Sequence, residues 1–163
     1  MKHVFFKRVM AMAAALMMLM SFMACSKGND GGSQAAKDAD TIKVGMLGPF
    51  TGDNAVYGLA VRNGVELYMN QYNEKGGVNG KKIQMFFYDQ KGDSTEAITV
   101  FSRMVEQDGI TALIGDVLTG NTIAVAGEAY PIHMPMITAS ATAEAVTYDA
   151  ATDTVYDNVF RTC

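Results

Sequence analysis

From Thr41 onward, short apolar runs alternate with longer segments of helical spacing, and this alternation constrains the fold more than any other feature. Runs of this kind that are rich in branched and aromatic residues predict strands, while apolar positions at i, i+3, i+4 and i+7 predict helices. Alternation of the two predicts βαβ units, and therefore an α/β fold with a parallel sheet and helices on both faces. The predicted strands are 42–47, 82–89, 110–115, 135–138 and 154–162, and the predicted helices are 56–75, 93–108 and 121–130.

Start and stop signals support these boundaries. Gly76 and Gly77 follow the first helical pattern, where a C-terminal glycine is expected. Asp93 stands three residues before Glu96, which is the spacing of a capping box at the start of the second helix. Gly109 ends that helix. These residues therefore indicate where the first helix ends and where the second helix begins and ends.

The first 24 residues have the pattern of an export signal. Lys2, Lys7 and Arg8 precede an apolar run at 9–23 that contains no charge. A transmembrane helix needs about 20 apolar residues, so this shorter run is typical of a signal peptide. We therefore expect residues 1–24 to be removed and the protein to act outside the cytoplasm.

Cys25 directly follows Ala24 at the end of this run, the arrangement at which bacterial lipoproteins are cut and acylated. Residues 25–40 are small and polar without a hydrophobic period, as a flexible tether should be. We expect lipid on Cys25 to anchor the protein to a membrane, in the periplasm or at the cell surface. The alternative is a plain secretory signal with an incidental cysteine. If Cys25 carries lipid, Cys163 has no partner for a disulfide in this chain.

Several functional classes are disfavoured by the residues. The net charge is −4, and no basic cluster is present, which argues against nucleic acid as a partner. The loop after the first strand has neither a Walker A lysine nor a GxGxxG pattern, so a nucleotide cofactor is not expected. His133 has no second ligand at metal-binding spacing, and no nucleophile elbow occurs. We therefore expect neither a metal nor a cofactor, and no catalytic residue.

Parallel sheets bind ligands at the carboxyl ends of their strands, where the strand order reverses. The loops after strands one, three and four are therefore the candidate site, and they cover 48–58, 115–122 and 139–142.

The last two of these loops both carry hydroxyl residues. Thr119 and Gly120 precede the third helix, where free N–H groups and the helix dipole favour a carboxylate. Ser140 and Thr142 can accept hydrogen bonds from an ammonium while their N–H groups help a carboxylate. The alternatives are that Thr119 only caps its own helix and that Thr142 only caps a short helix at 143–146. Together the loops indicate a zwitterionic ligand.

Two other side chains lie close to these loops. Tyr57 either covers an apolar part of the ligand or is buried beneath the first helix, which is the more common fate of a tyrosine. Asp89, at the end of the second strand, is expected to cap a loop rather than to act as a base.

At this point the chain resembles the type I periplasmic binding proteins of ABC importers, in the branch that includes the leucine/isoleucine/valine-binding proteins. The segment GGVNGKKI after the first helix is the most specific match. The resemblance runs from Thr41 to the end of the chain, and its main stretches are 42–93, 110–126, 135–147 and 159–162.

This resemblance implies a Rossmann-like sandwich that forms the first of two lobes, which close on a ligand like a Venus flytrap. Residues 41–158 correspond to the N-terminal lobe, 159–163 begin the hinge crossover, and the second lobe is absent. Thr119 would then hold the ligand carboxylate, and Ser140 and Thr142 its carboxylate and ammonium.

The resemblance also assigns Tyr57 to the cover of the ligand side chain. Leu118 and Thr119 stand where many relatives have small or serine residues, a difference that would alter the size of the pocket.

The function implied is that of the solute-binding component of an ABC importer, which captures a branched-chain or related amino acid for delivery to the permease. The same fold also serves as the ligand-binding domain of receptors that sense amino acids or amides, and an exported enzyme on an α/β scaffold is a third reading. Because one lobe is missing, we expect the chain alone to bind weakly.

Overall fold

The computed structural model describes residues 41–163; the expected signal, tether and lipidated Cys25 lie outside the described residues. Within the described part, seven strands and three α-helices follow one another, with a π-helical turn after the second helix and a 3-10 turn after the fourth strand. In chain order these are β1 Thr41–Gly48, α1 Ala55–Glu74, β2 Lys82–Asp89, α2 Ser94–Arg103, the π-helical turn Met104–Asp108, β3 Ala112–Ile114, α3 Thr119–Ala129, β4 Met136–Thr138, the 3-10 turn Glu144–Val146, β5 Tyr148–Asp149, β6 Thr154–Val155 and β7 Val159–Arg161.

Five of the strands form one sheet in the order β2-β1-β3-β4-β7, and every neighbouring pair is parallel. The predicted α/β fold is therefore confirmed. The chain moves from β1 to β2 in one direction and then crosses back to place β3 on the other side of β1. The strand order thus reverses between β1 and β3, and the carboxyl ends of these two strands flank the switch point.

The two faces of this sheet are covered unequally. Right-handed crossovers place α1 on one face and α2 with α3 on the other, and α2 packs directly against α3. The aligned residues Leu113, Met136 and Val159 lie on the α2/α3 side and are at most 2% exposed. Their neighbours Ile137 and Phe160 point to the opposite face and are 42% and 54% exposed. The core therefore lies mainly beneath α2 and α3.

The exposed face carries an apolar trough of about 300 Å³. Val44 and Met69 line one side of the trough and Ile137 and Phe160 line the other. Helix α1 packs against β1 and β2 and contributes Met69 to the trough, while Ile137 on β4 and Phe160 on β7 stay exposed.

The predicted boundaries of β1, α1 and β2 are confirmed to within one residue. β2 covers the predicted residues 82–89, and the Asp93 side chain accepts a hydrogen bond of 2.7 Å from the Glu96 N–H at the start of α2. Gly109 follows the π-helical turn in the left-handed conformation, with φ of 68°. A residue with a side chain rarely adopts this φ, which explains a glycine at that position.

The predicted fifth strand at 154–162 is wrong as a single element. The chain breaks after β6, which pairs antiparallel with β5, and only β7 joins the main sheet. Asn158 explains the break, because its side-chain amide donates to the carbonyl oxygens of Ala129 and Met134 at 3.0 and 2.9 Å. These bonds draw the turn toward the end of α3.

The third helix was predicted to begin at Asn121, but α3 begins two residues earlier, at Thr119. Leu118 is the extended residue before it, and its carbonyl oxygen accepts hydrogen bonds from the N–H and the hydroxyl of Thr122. These bonds close the first turn early and bring Gly120 into the helix.

Candidate functional site

The loop after β1 is held by the carboxylate at the end of β2. Asp89 accepts hydrogen bonds from the N–H groups of Phe50 and Lys91, both at 2.8 Å, and from the hydroxyl of Thr51. Burial by itself would raise the pKa of Asp89, but these hydrogen bonds outweigh it and the pKa lies below its ordinary value. The prediction that Asp89 caps a loop is confirmed.

Helix α1 packs tightly against this loop at one glycine. A Cβ atom added to Gly58 would lie 2.0 Å from the carbonyl oxygen of Pro49, so the helix approaches this closely only because Gly58 has no side chain. The guanidinium of Arg62, one turn later, lies 5.3 Å from the ring centre of Phe50 and 4.8 Å from that of Phe87. These contacts fix the first turns of α1, and with them Tyr57.

The loop after β3 is organised around a buried carboxyl group. Asp116 is 0% exposed, and its Oδ1 accepts hydrogen bonds from the N–H groups of Val117 and Leu118 and from the side chain of Gln90. Burial raises the pKa of Asp116, and the same hydrogen bonds offset this rise only in part. The peptide bond between Gly115 and Asp116 is cis.

The loop after β4 is bonded to the loop after β3. Thr138 is fully buried and its hydroxyl donates to the carbonyl oxygen of Asp116 at 2.6 Å. Ser140 donates its hydroxyl hydrogen to the carbonyl oxygen of Val117 at 2.7 Å. Arg161 donates to the carbonyl oxygen of Thr142 from the neighbouring strand β7. Of the three hydroxyls in this segment, Thr138 is therefore structural.

Residues in or next to these loops line a cavity of about 340 Å³ at the switch point, and this cavity is open to solvent. Its lining combines one tyrosine, two aliphatic side chains, one threonine and one serine, and it includes no charged side chain. The lining residues are Tyr57, Val117, Leu118, Thr119 and Ser140. A cavity of this size matches a small molecule with both an apolar and a polar part.

The structure brings four of the six predicted ligand-binding residues together here: Tyr57, Leu118, Thr119 and Ser140. Tyr57 is 61% exposed, so the alternative of a tyrosine buried beneath α1 is wrong. The N-cap residue of α3 is Leu118, and that of the 3-10 turn is Ala143. Neither Thr119 nor Thr142 therefore occupies the cap position that the alternatives gave it.

Gly120 and Thr142 are placed differently from the other four. Gly120 is exposed in the first turn of α3, and a Cβ added to it would meet open space, so no close backbone approach is needed there. Thr142 is exposed on the loop after β4 and is not among the residues that line the cavity. A ligand role for these two residues stays a prediction.

Sequence reasoning missed the buried residues that support the cavity. Gln90 follows β2 directly and Asp116 follows β3 after Gly115, and a polar residue at the end of a parallel strand was the available signal. Val117 lines the cavity, yet a valine in a loop carried no signal of its own. Among residues 41–163 there is no group of three or more histidine, cysteine or acidic side chains that a metal ion would need.

A parallel sheet with a neutral cavity at its switch point is typical of an α/β domain that binds small molecules. A family profile described as periplasmic binding protein matches residues 41–163. The chain therefore belongs to the periplasmic binding protein family.

Known relatives are similar to this chain over the same region. It is 33% identical to the Leu/Ile/Val-binding protein BraC3 of Rhizobium johnstonii over 75% of its own length and 32% of that protein's length. It is 36% identical to a leucine-, isoleucine-, valine-, threonine- and alanine-binding protein of Pseudomonas aeruginosa, over 76% and 32% of the two lengths. The chain thus spans about a third of the length of these relatives.

Solved structures share the fold. The branched-chain amino acid transporter substrate-binding protein LivJ of Streptococcus pneumoniae, solved in complex with isoleucine, superimposes with a TM-score of 0.67 and 31% identity. The match covers 74% of this chain and 33% of that protein. In the part of the chain that the structure describes, no helix is both long enough and apolar enough to cross a membrane.

Proposed function

We propose that this chain is the first lobe of an extracytoplasmic solute-binding protein, and that it captures a branched-chain or related amino acid for an ABC importer. The cavity formed by Tyr57, Leu118, Thr119 and Ser140 is the observation that carries the proposal. Relatives named as Leu/Ile/Val-binding proteins and a fold neighbour solved with isoleucine support the ligand class. The mechanism is capture rather than reaction.

The chemistry of the cavity suits a zwitterion with an apolar side chain. The start of α3 presents N–H groups and a positive dipole end beside Thr119, which favours a carboxylate. Ser140 donates its hydrogen to Val117 and keeps its oxygen lone pairs, which favours an ammonium group. Tyr57 and Leu118 provide apolar surface for the ligand side chain.

Closure against a second lobe completes the site in this proposal. The cavity is open to solvent in this structure, and a lobe that closes over it would exclude water and strengthen each hydrogen bond to the ligand charges. Residues 159–163 would begin the crossover to that lobe, a lipid on Cys25 would hold the protein at a membrane, and the closed form would engage the permease.

The test is a calorimetric titration of the full-length protein with a panel of amino acids. We expect leucine, isoleucine or valine to bind, while aspartate and lysine do not, because the described lining offers no charge to pair with theirs. Binding of a charged amino acid in preference to all apolar ones would contradict the assigned ligand class. Release of a chemically altered ligand would contradict capture without reaction.

A further inference from the structure

The segment that contains Leu118 and Thr119 is held in place by two buried polar side chains that do not line the cavity. Gln90 and Asp116 are both 0% exposed, and Gln90 Nε2 donates to Asp116 Oδ1 at 3.0 Å. A buried polar pair is costly unless it is hydrogen-bonded, so its hydrogen-bond partners identify what it holds in place.

Asp116 accepts hydrogen bonds from the backbone N–H groups of the segment that leads into α3. Its Oδ1 accepts from the N–H groups of Val117 and Leu118, the latter at 3.0 Å. The carbonyl oxygen of Asp116 accepts from Thr122 at 3.1 Å and from Thr138 at 2.6 Å. The end of β4 and the first turn of α3 are thereby both bonded to Asp116.

Gln90 fixes the orientation of this carboxyl group. Its Oε1 accepts from the N–H of Gly92, which leaves Nε2 to face Asp116. Its backbone N–H donates to Gly48 at 3.2 Å and its carbonyl oxygen accepts from Asp93 at 2.9 Å. The amide is therefore locked at both ends, and it joins the end of β2 to the loop after β3.

The two carboxyl oxygens of Asp116 differ in their number of hydrogen-bond partners. Oδ1 receives three donors, while Oδ2 is buried and has no hydrogen-bond partner among the described residues. An asparagine at this position would keep the oxygen that the three donors need and would replace only the oxygen without a partner. An alanine would leave the N–H groups of Val117 and Leu118 and the Gln90 amide without this partner.

We propose that Gln90 and Asp116 form a buried positioning pair that sets the place of Leu118 and Thr119 for ligand binding without touching the ligand. The effect on affinity rests on the proposed function. The effect on the loop itself does not, because it follows from the hydrogen bonds of Asp116 alone.

The experiment compares Asp116→Ala, Asp116→Asn and Gln90→Met in the full-length protein. Leucine or isoleucine affinity is measured by calorimetry, and exchange of the Val117 and Leu118 amide hydrogens is measured by mass spectrometry. The matched control is Asn158→Ala, which removes a part-buried amide that bonds two backbone carbonyls away from the cavity.

We expect Asp116→Ala to weaken binding by roughly tenfold or more and to speed exchange at 117–118, since a buried partner of two N–H groups is lost. Asp116→Asn should restore affinity to within about threefold of the wild type, and Gln90→Met should fall between them. Asn158→Ala should lower the melting temperature while leaving affinity and loop exchange unchanged.

Two results would contradict the positioning role of Gln90 and Asp116. The first is that folded Asp116→Ala and Gln90→Met both keep the affinity and the loop exchange of the wild type. The second is that Asn158→Ala loses as much affinity as Asp116→Ala does. If Asp116→Ala does not fold, Gln90→Met decides by the same two measurements. If the wild type binds no amino acid, the proposed function fails, and loop exchange alone then decides for or against the pair.

Discussion

The hydroxyl of Ser140 donates a hydrogen bond of 2.7 Å to the carbonyl oxygen of Val117, and this bond joins the loop after β4 to the loop after β3. Because both loops line the same cavity, the bond sets the distance between its two polar walls. It also commits the hydrogen of Ser140 to the protein and leaves the oxygen free to accept.

Removal of this bond should loosen the cavity. Ser140→Ala is expected to lower the free energy of unfolding by about 0.5–1.5 kcal/mol, the usual contribution of one hydrogen bond, and to weaken amino-acid binding. Urea unfolding and calorimetry on the full-length protein measure the two effects. Ser102→Ala on α2 removes a hydroxyl away from the three loops and should leave affinity unchanged; equal affinity in both variants would contradict the role of Ser140.

The close approach of α1 to the loop after β1 gives a second prediction. Gly58→Ala should destabilise the protein by about 1–3 kcal/mol, as overpacking does, because its Cβ would lie 2.0 Å from the Pro49 carbonyl oxygen. It should also weaken ligand binding, since the adjacent Tyr57 would move with the helix.

Gly64→Ala is the control on the same helix, because its Cβ would meet nothing within 4 Å. This change should be neutral or stabilising by up to about 1 kcal/mol, as for any exposed helical glycine. Chemical denaturation of both variants makes the comparison. Similar free energies for the two variants would show that α1 does not depend on contact with Pro49.

The alternation of strand and helix was enough to predict the sheet, because hydrophobic spacing directly reports which side chains face a core. β2 and the cap at Asp93 were predicted to the residue. The strand expected at 154–162 failed because its pattern is set locally, whereas Asn158 bonds to carbonyls 24 and 29 residues earlier in the chain. Hydrogen bonds between residues this far apart do not change the spacing of apolar residues in the local sequence, so that spacing cannot predict them.

The buried carboxyl group gives a prediction about pH. Burial raises the pKa of Asp116, so the folded protein binds this proton more tightly than the unfolded chain does. The stabilising contribution is therefore fully present below the ordinary aspartate pKa of about 4 and is lost as pH rises through the raised value.

Asp116→Asn lacks this titration, while all other groups are shared. We therefore expect the melting temperature of the wild type, relative to that of Asp116→Asn, to decrease as pH rises from 4 to about 8. Scanning calorimetry across that range measures the difference. A relative melting temperature that increases with pH would show that the pKa of Asp116 is lowered rather than raised.

The uncovered face of the sheet gives a further prediction. Ile137 and Phe160 are paired across β4 and β7 and stay 42% and 54% exposed. Residues 41–163 expressed alone should therefore bind a hydrophobic dye or self-associate. Ile137→Thr with Phe160→Thr should reduce dye binding, and Ile132→Thr, outside this trough, should not; equal dye binding by all three proteins would contradict an exposed apolar face.

The site itself was predicted only in part. Hydroxyl residues after β3 and β4 drew attention to Thr119 and Ser140, which do line one cavity. The same pattern cannot tell an exposed hydroxyl from a buried one, and Thr138, in the same segment, bonds to a backbone carbonyl instead. Asp116 supports the loop after β3 as a buried carboxyl group, and its burial depends on the packing of the whole sheet.

The most direct test of a ligand held at the rim of β1, β3 and β4 is titration of isoleucine into the full-length protein and its Thr119→Val and Thr142→Ala variants. Each variant removes one hydroxyl, and each is expected to weaken binding by about 1–3 kcal/mol, or roughly 5- to 150-fold in Kd. Isoleucine binding by the wild type with this loss in Thr119→Val would support the account. Tight binding of isoleucine that is unchanged in both variants would contradict it.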